Sequence, residues 1–255
     1  MGRSQAEMPF LDHLDELRTR LIRSLVALLV CCVLGLIAVA HFHVLELVER
    51  PIRGLVPDDN LFYTSPTTPF FITLKLGFIV GLILSFPILA YQLWAFLSPA
   101  LYDNERRFAV PAITVGTLLF LAGIALAYFV VLPYGLAILL GFYEEALSPL
   151  ITVDEYLKFA TGLILAFGLI FEMPVLLVFL SMVGILTPAT LSKYRRHAIV
   201  VMAILSAVLT PSDPFTMIAM MMPLVVLYEA SILTAKSLRR RRDRRLVSSS
   251  EGSLV

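Results

Sequence analysis

The run Phe159–Leu186 constrains this chain more than any other stretch, because it is long enough to cross a bilayer and contains one ionisable residue, Glu172. A charged side chain at mid-membrane depth costs about 2.5–3.5 kcal/mol on insertion scales unless it is paired, hydrated or neutralised. A chain that keeps such a group gains something from it. The composition agrees with a membrane setting: 59% of the 255 residues are hydrophobic and only 15% are charged. Soluble domains carry about 25% charged residues.

Five further apolar runs join this one. They cover about Ser24–Ala40, Phe70–Leu97, Phe108–Leu132, Ala198–Leu209 and Phe215–Leu233. The expected architecture is therefore an all-α polytopic membrane protein with six transmembrane helices, the last two short. A dozen residues of helix span roughly 18 Å at ~1.5 Å per residue, less than the ~30 Å hydrocarbon core. The fifth and sixth runs therefore either thin the bilayer locally or form a re-entrant hairpin around Thr210–Pro214. Pro133 is expected to end the third span and Pro87 to kink the second. Residues 1–236 read as a single membrane domain, and 237–255 as a basic, disordered cytoplasmic tail.

Ahead of the first run, Leu11, Leu14, Leu17 and Leu21 recur at helical spacing, so the polar lead is an amphipathic helix start with Glu16 and Arg20 one turn apart. His41–Pro69 forms a long connection in which Glu46, Glu49, Arg50 and Arg53 fit one exposed helical turn. Gly77-x-x-x-Gly81 permits close helix approach. Tyr91 and Trp94 are placed at an interface. Cys31 and Cys32 are adjacent in an apolar run and read as small filler, neither bridged nor metal-binding.

Charge distribution sets the orientation. Sixteen of the 20 Lys and Arg residues fall in the lead, the 98–107 turn, the 187–197 turn and the segment from Lys236 onward. The positive-inside rule then puts both termini in the cytoplasm (N-in/C-in). The net charge of +1 gives no overall field toward nucleic acid. No zinc-protease motif, nucleophile–histidine pair or phosphate loop is present, which argues against an enzyme, a metal site or a cofactor. Carboxylates remain as the chemistry-bearing groups. On the cytoplasmic side, Asp12, Asp15, Glu16, Asp103 and Glu105 either pair with neighbouring Arg and Lys or form an anionic patch for a cationic ligand. Guanidinium groups suit such a patch because each can take a carboxylate in a two-bond fork.

Ordered motifs then accumulate along nearly the whole chain. They are His13-Leu14-Asp15-Glu16-Leu17-Arg18, Ser65-Pro66 with Pro69-Phe70-Phe71 and Lys75, and Tyr91–Phe96 with Pro99–Tyr102 and Glu105-Arg106-Arg107. Tyr128-Phe129 with Pro133, Phe167-Gly168 with Phe171-Glu172-x-Pro174, and Leu209-Thr210-Pro211-x-Asp213-x-Phe215 follow. Together they resemble the TatC family, the polytopic core subunit of the twin-arginine protein translocase. The resemblance implies a cupped six-helix shell in the cytoplasmic (inner) membrane of a prokaryote. It implies binding of twin-arginine signal peptides on folded cargo, through positions matching Glu16 and Glu105, with Phe96 and Arg18 in the same patch. It implies partner subunits of the single-span TatA and TatB type, and a homo-oligomer within the complex. Glu172 matches an intramembrane transport position; Pro51, Phe70, Phe71 and Asp213 match outer-side positions linked to assembly or transport. Asp213 is equally a helix N-cap. One departure is Met217, which stands where the family often has Gln. The alternative reading is a proton-coupled secondary transporter with Glu172 as its coupling site. Against it stand the absence of an evident internal repeat and of a cation at the depth of Glu172.

Overall fold

The structure is a computed structural model that describes residues 10–56, 61–97, 109–141, 150–209 and 214–251. The described residues are helical apart from turns and an isolated β-bridge. In chain order the helices are α1 (Phe10–His41), α2 (Val44–Glu49), α3 (Thr68–Leu97), α4 (Ala109–Leu126), a π-helical segment (Ala127–Val131) and α5 (Leu132–Gly141). Then come α6 (Val153–Ile170), α7 (Met173–Met182), α8 (Pro188–Lys193), α9 (Arg195–Leu209) and α10 (Pro214–Glu251). Among the described residues, four stretches are long and apolar enough to cross a membrane: Leu14–His41, Thr68–Phe96, Val110–Gly141 and Val153–Met182. Their sides are largely apolar and exposed, with Leu25, Leu29, Val33 and Ile37 of α1 all open. That pattern suits a lipid solvent, in which an apolar side chain loses nothing by facing outward.

The chain divides into two compact units. The first contains α1, α2, α3 and the start of α4. Its polar lead and first span form one continuous helix from Phe10; of the helical turn expected over Glu46–Arg53, Glu46 and Glu49 lie in α2, while Arg50 and Arg53 follow its end in a turn. Glycine decides how α1 meets α3. A methyl group on Gly81 would fall within 3.0 Å of the Cα and N of Cys32 and the carbonyl of Cys31. Gly35 likewise has the backbone of Gly77 and Gly81 against it, and Gly77 has Leu36. The two backbones therefore touch at Gly35 and Gly81, while Gly77 makes room for the Leu36 side chain, which gives the Gly77-x-x-x-Gly81 spacing its use. Cys31 is buried in this seam, and both cysteines are unbridged. Pro87 stays inside α3, and Trp94 is buried, so it turns inward, whereas Tyr91 is exposed.

The second unit contains residues 51–62 and everything from Leu118 onward. Here α6 buries Tyr156, Leu157, Ala160, Leu163, Ile164 and Phe167, a helical stripe of period 3.6. Thr152 caps it, its hydroxyl accepting from the Glu155 N–H at 3.4 Å. Gly168 leaves room for the ring of Phe120, and Gly123 for the Phe167 carbonyl and the ring of Phe171. A further core joins α8, α9 and α10 through Leu191, Met202, Leu224, Tyr228, Ile232 and Ala235. Phe62 is tied to the start of α6 by a parallel bridge, Val153 N–H donating to Phe62 O at 2.8 Å and Phe62 N–H to Ile151 O at 3.2 Å.

Two expectations about spans are corrected. Pro133 does not end the third helix, which continues to Gly141. Proline has no N–H and its ring crowds the carbonyl four residues back, here Phe129. The π segment Ala127–Val131 widens the helix there, so the chain passes Pro133 without breaking. The fourth span is not one helix. It breaks at Phe171-Glu172 and restarts as α7 with proline in its first turn. It also begins earlier than expected, at Val153, and ends at Met182, where Gly184 turns the chain with φ +89°. Of the two short final helices expected, α9 is short, its 15 residues covering ~22 Å at ~1.5 Å per residue, whereas α10 is a helix of 38 residues. The basic stretch after Lys236 continues α10 as helix up to Glu251.

Candidate functional site

Two groups of residues carry polar chemistry, one in each unit. In the first unit, Leu36 lies against Gly77 and Cys32 against Gly81, so α1 and α3 run antiparallel. Continued along both helices, that register brings Glu16 level with the last turn of α3, where Phe96 sits. Glu16 and Phe96 thus belong to one end of the pair. Phe70 and Phe71 belong to the other, in the first turns of α3, 64% and 61% exposed with ring centroids 5.6 Å apart. Arg18 is exposed on α1. Glu105 and Asp213 lie outside the described residues. Pro51 is half-buried and belongs to the second unit.

Glu16 already holds a guanidinium. Arg20, one turn on, donates from Nε at 2.8 Å and from Nη2 at 2.5 Å, both to Glu16 Oε1. Helical spacing causes this, since residues four apart share a face. The pair is partly shielded, with side-chain exposures of 22% and 20%. The carboxylate is therefore placed to accept a guanidinium and is occupied by one from its own helix.

In the second unit, Glu172 occupies the break between α6 and α7. Its backbone is helical, at φ −74° and ψ −13°, with its N–H donating to Leu169 O at 3.1 Å and its carbonyl accepting from Leu176 N–H at 3.0 Å. It stands at the N-cap of α7, yet its side chain makes no capping bond. Pro174 explains part of this: at the second position of the helix it offers no N–H to a capping carboxylate. Glu172 Oε1 is buried without a hydrogen-bond partner among the described residues. Ile170, Met173 and Leu177, around the break, are apolar and pack on the α8–α10 core. A buried acceptor left in this state costs about 1–3 kcal/mol, so the site suits a hydrogen-bond donor from outside these residues.

One pairing had no sequence signal. Glu229 of α10 accepts from Arg195 Nη2 at 2.8 Å, and the neighbouring Tyr228 hydroxyl donates to Leu191 O at 2.9 Å. The partners lie more than thirty residues apart, beyond the reach of any local pattern.

Helices of membrane-spanning length, a carboxyl group at a break inside one of them, and acidic chemistry at a helix-pair end describe a multi-pass α-helical membrane protein with polar groups at two places. Comparison with known proteins narrows this. The family described as "Sec-independent protein translocase protein (TatC)" matches residues 12–223. The TatC proteins of Aquifex aeolicus and Haemophilus influenzae are 39% and 34% identical, over 92% and 99% of this chain and 98% of each relative. A crystal structure of the twin arginine translocase receptor TatC superposes with a TM-score of 0.79, at 39% identity, over 88% of this chain and 99% of that one. The chain belongs to the TatC family and is a multi-pass membrane component of twin-arginine protein translocation. These relatives lend no support to a proton-coupled secondary transporter.

Proposed function

We propose that this chain is the signal-peptide receptor of its translocase, capturing the paired arginines of a cargo signal peptide on Glu16 and Glu105, with Phe96 and Arg18 completing the patch. The observation that carries this reading is the bond from Arg20 to Glu16: a carboxylate that holds one guanidinium is built to exchange it for another. An incoming guanidinium displaces Arg20, so that one charge-assisted pair replaces another. Membership of a family with a relative called a receptor supports the same role.

The fuller reading has six spans with both termini in the cytoplasm of a prokaryote, in line with the positive-inside distribution of Lys and Arg. Glu172, bare of a capping bond at its helix break, accepts a donor from the membrane helix of a single-span subunit of the TatA or TatB type. Pro51, Phe70, Phe71 and Asp213 serve assembly or transport on the outer side, where exposed Phe70 and Phe71 offer apolar contact area to another subunit or copy. No bond in cargo is made or broken, so the chain acts by binding and conducting rather than as an enzyme.

Binding of the purified protein in detergent to an Arg-Arg signal peptide, compared with its Lys-Lys counterpart, tests the reading. Preference for Arg-Arg that disappears in Glu16→Ala and in Glu105→Ala is the expected result. Equal, weak binding of both peptides by the unaltered protein would remove the receptor role.

A further inference from the structure

We propose that Lys236–Arg245, with Lys193 and Arg196, forms a docking surface for anionic phospholipid headgroups. Seven of ten residues in that stretch are Lys or Arg, and Asp243 is its only acid. The family match ends at residue 223, so this run lies beyond the matched segment. It is also continuous with α10, which runs unbroken to Glu251. Packing within the second unit reaches Ile232 and Ala235, 0% and 1% exposed, while Leu233 between them is 64% exposed. The cationic run begins at the next residue, Lys236, where the apolar helix ends.

The α8–α9 turn is fixed at the same level. Tyr228 OH bonds Leu191 O, and Glu229 holds Arg195. Lys193 and Arg196, on either side of that anchor, are exposed. Seven residues separate Glu229 from Lys236, roughly 10 Å of helix. The turn and the start of the run thus lie about one Debye length apart at ~0.1 M salt, where that length is about 10 Å, and share one field. Three features favour lipid over a soluble polyanion. The run adjoins the end of an apolar helix, bilayer headgroups are always present there, and juxtamembrane basic clusters are drawn to anionic leaflets. The chain as a whole, at net charge +1, has no general attraction for polyanions.

Limited trypsin digestion of the full chain in lipid nanodiscs tests this, with cuts between Arg239 and Arg245 followed by mass spectrometry. Discs of phosphatidylcholine alone are compared with discs holding about a third phosphatidylglycerol; cutting is expected to slow about tenfold in the anionic discs. The protection should vanish at ~1 M salt, where screening acts within about 3 Å. It should weaken severalfold in Lys193→Gln/Arg196→Gln, which leaves the Tyr228 and Glu229 anchors intact. Equal cutting in both kinds of disc overturns the proposal. So does protection in phosphatidylcholine discs by added RNA that matches or exceeds the protection by phosphatidylglycerol.

Discussion

Replacing Arg20 with Gln separates competition from support at Glu16. The two groups are partly shielded, with Nε and Nη2 both on Oε1. Pairs four apart on a helix contribute about 0.3–0.5 kcal/mol and exposed pairs at most about 1 kcal/mol. An incoming arginine must displace that interaction, and a tenfold change in affinity corresponds to about 1.4 kcal/mol, so removing Arg20 should tighten Arg-Arg peptide binding about two- to fivefold. Glutamine keeps nearly the same helix propensity, so α1 itself is undisturbed. The assay is fluorescence anisotropy of a labelled peptide on the full chain in detergent, at low and high salt. The gain should shrink at high salt, because the displaced pair is then already screened. Weaker binding in Arg20→Gln would mean that Arg20 positions Glu16 rather than occupying it. No change in either Arg20→Gln or Glu16→Gln would refute the assignment of Glu16 to the site.

Three further outcomes follow from the same geometry. Gly81→Val forces side-chain atoms into the Cys31–Cys32 backbone and should cost about 1–3 kcal/mol or more, seen as a lower midpoint of thermal unfolding in detergent. Tyr228→Phe removes the bond to Leu191 O and should cost about 1 kcal/mol in the same assay, with peptide affinity unchanged. Glu172→Gln should leave the unfolding midpoint equal or higher, since the ionisable group is removed at nearly constant shape, while export of a folded twin-arginine cargo by cells falls severalfold; unchanged export would dismiss a transport role for the carboxyl group.

The helices were largely legible because lipid selects for long apolar runs, and Gly77-x-x-x-Gly81 announced a close approach. What the spacing left unspecified was the partner, Gly35 with Cys31 and Cys32, because that choice lies in the other helix. Glu16 and Arg20 could be paired from their spacing, whereas Arg195 and Glu229 could not, as only the packing of α9 on α10 brings them together. Two prolines in apolar runs had different fates. At Pro133 the helix widened over Ala127–Val131 and continued; at Pro174 it broke. Both lack an N–H and both crowd a carbonyl, so the local sequence imposes the same problem twice, and packing chooses between the two solutions.

That choice bears on Glu172. A glutamate in an unbroken helix points along its own surface and can be satisfied by a neighbour. At a helix start it would ordinarily turn back to the first free N–H groups, which is the cheapest way to keep a carboxylate in hydrocarbon. Here the break provides the helix start and Pro174 removes one of the donors that makes it useful. The Glu-x-Pro spacing thus creates the opening in the backbone and withholds part of the local reward for filling it. A carboxyl kept only for structure would gain by shifting Pro174 to another position. Its position two residues after Glu172 fits a group whose donor arrives from outside the chain, and Pro174→Ala should reveal this. Restoring the N–H lets the carboxylate cap α7, which should stabilise the fold by about 1 kcal/mol while weakening cross-linking between position 172 and a partner's membrane helix. Undiminished cross-linking in a variant of raised stability would show that capping and partner contact do not compete, and would detach the helix break from the function of Glu172.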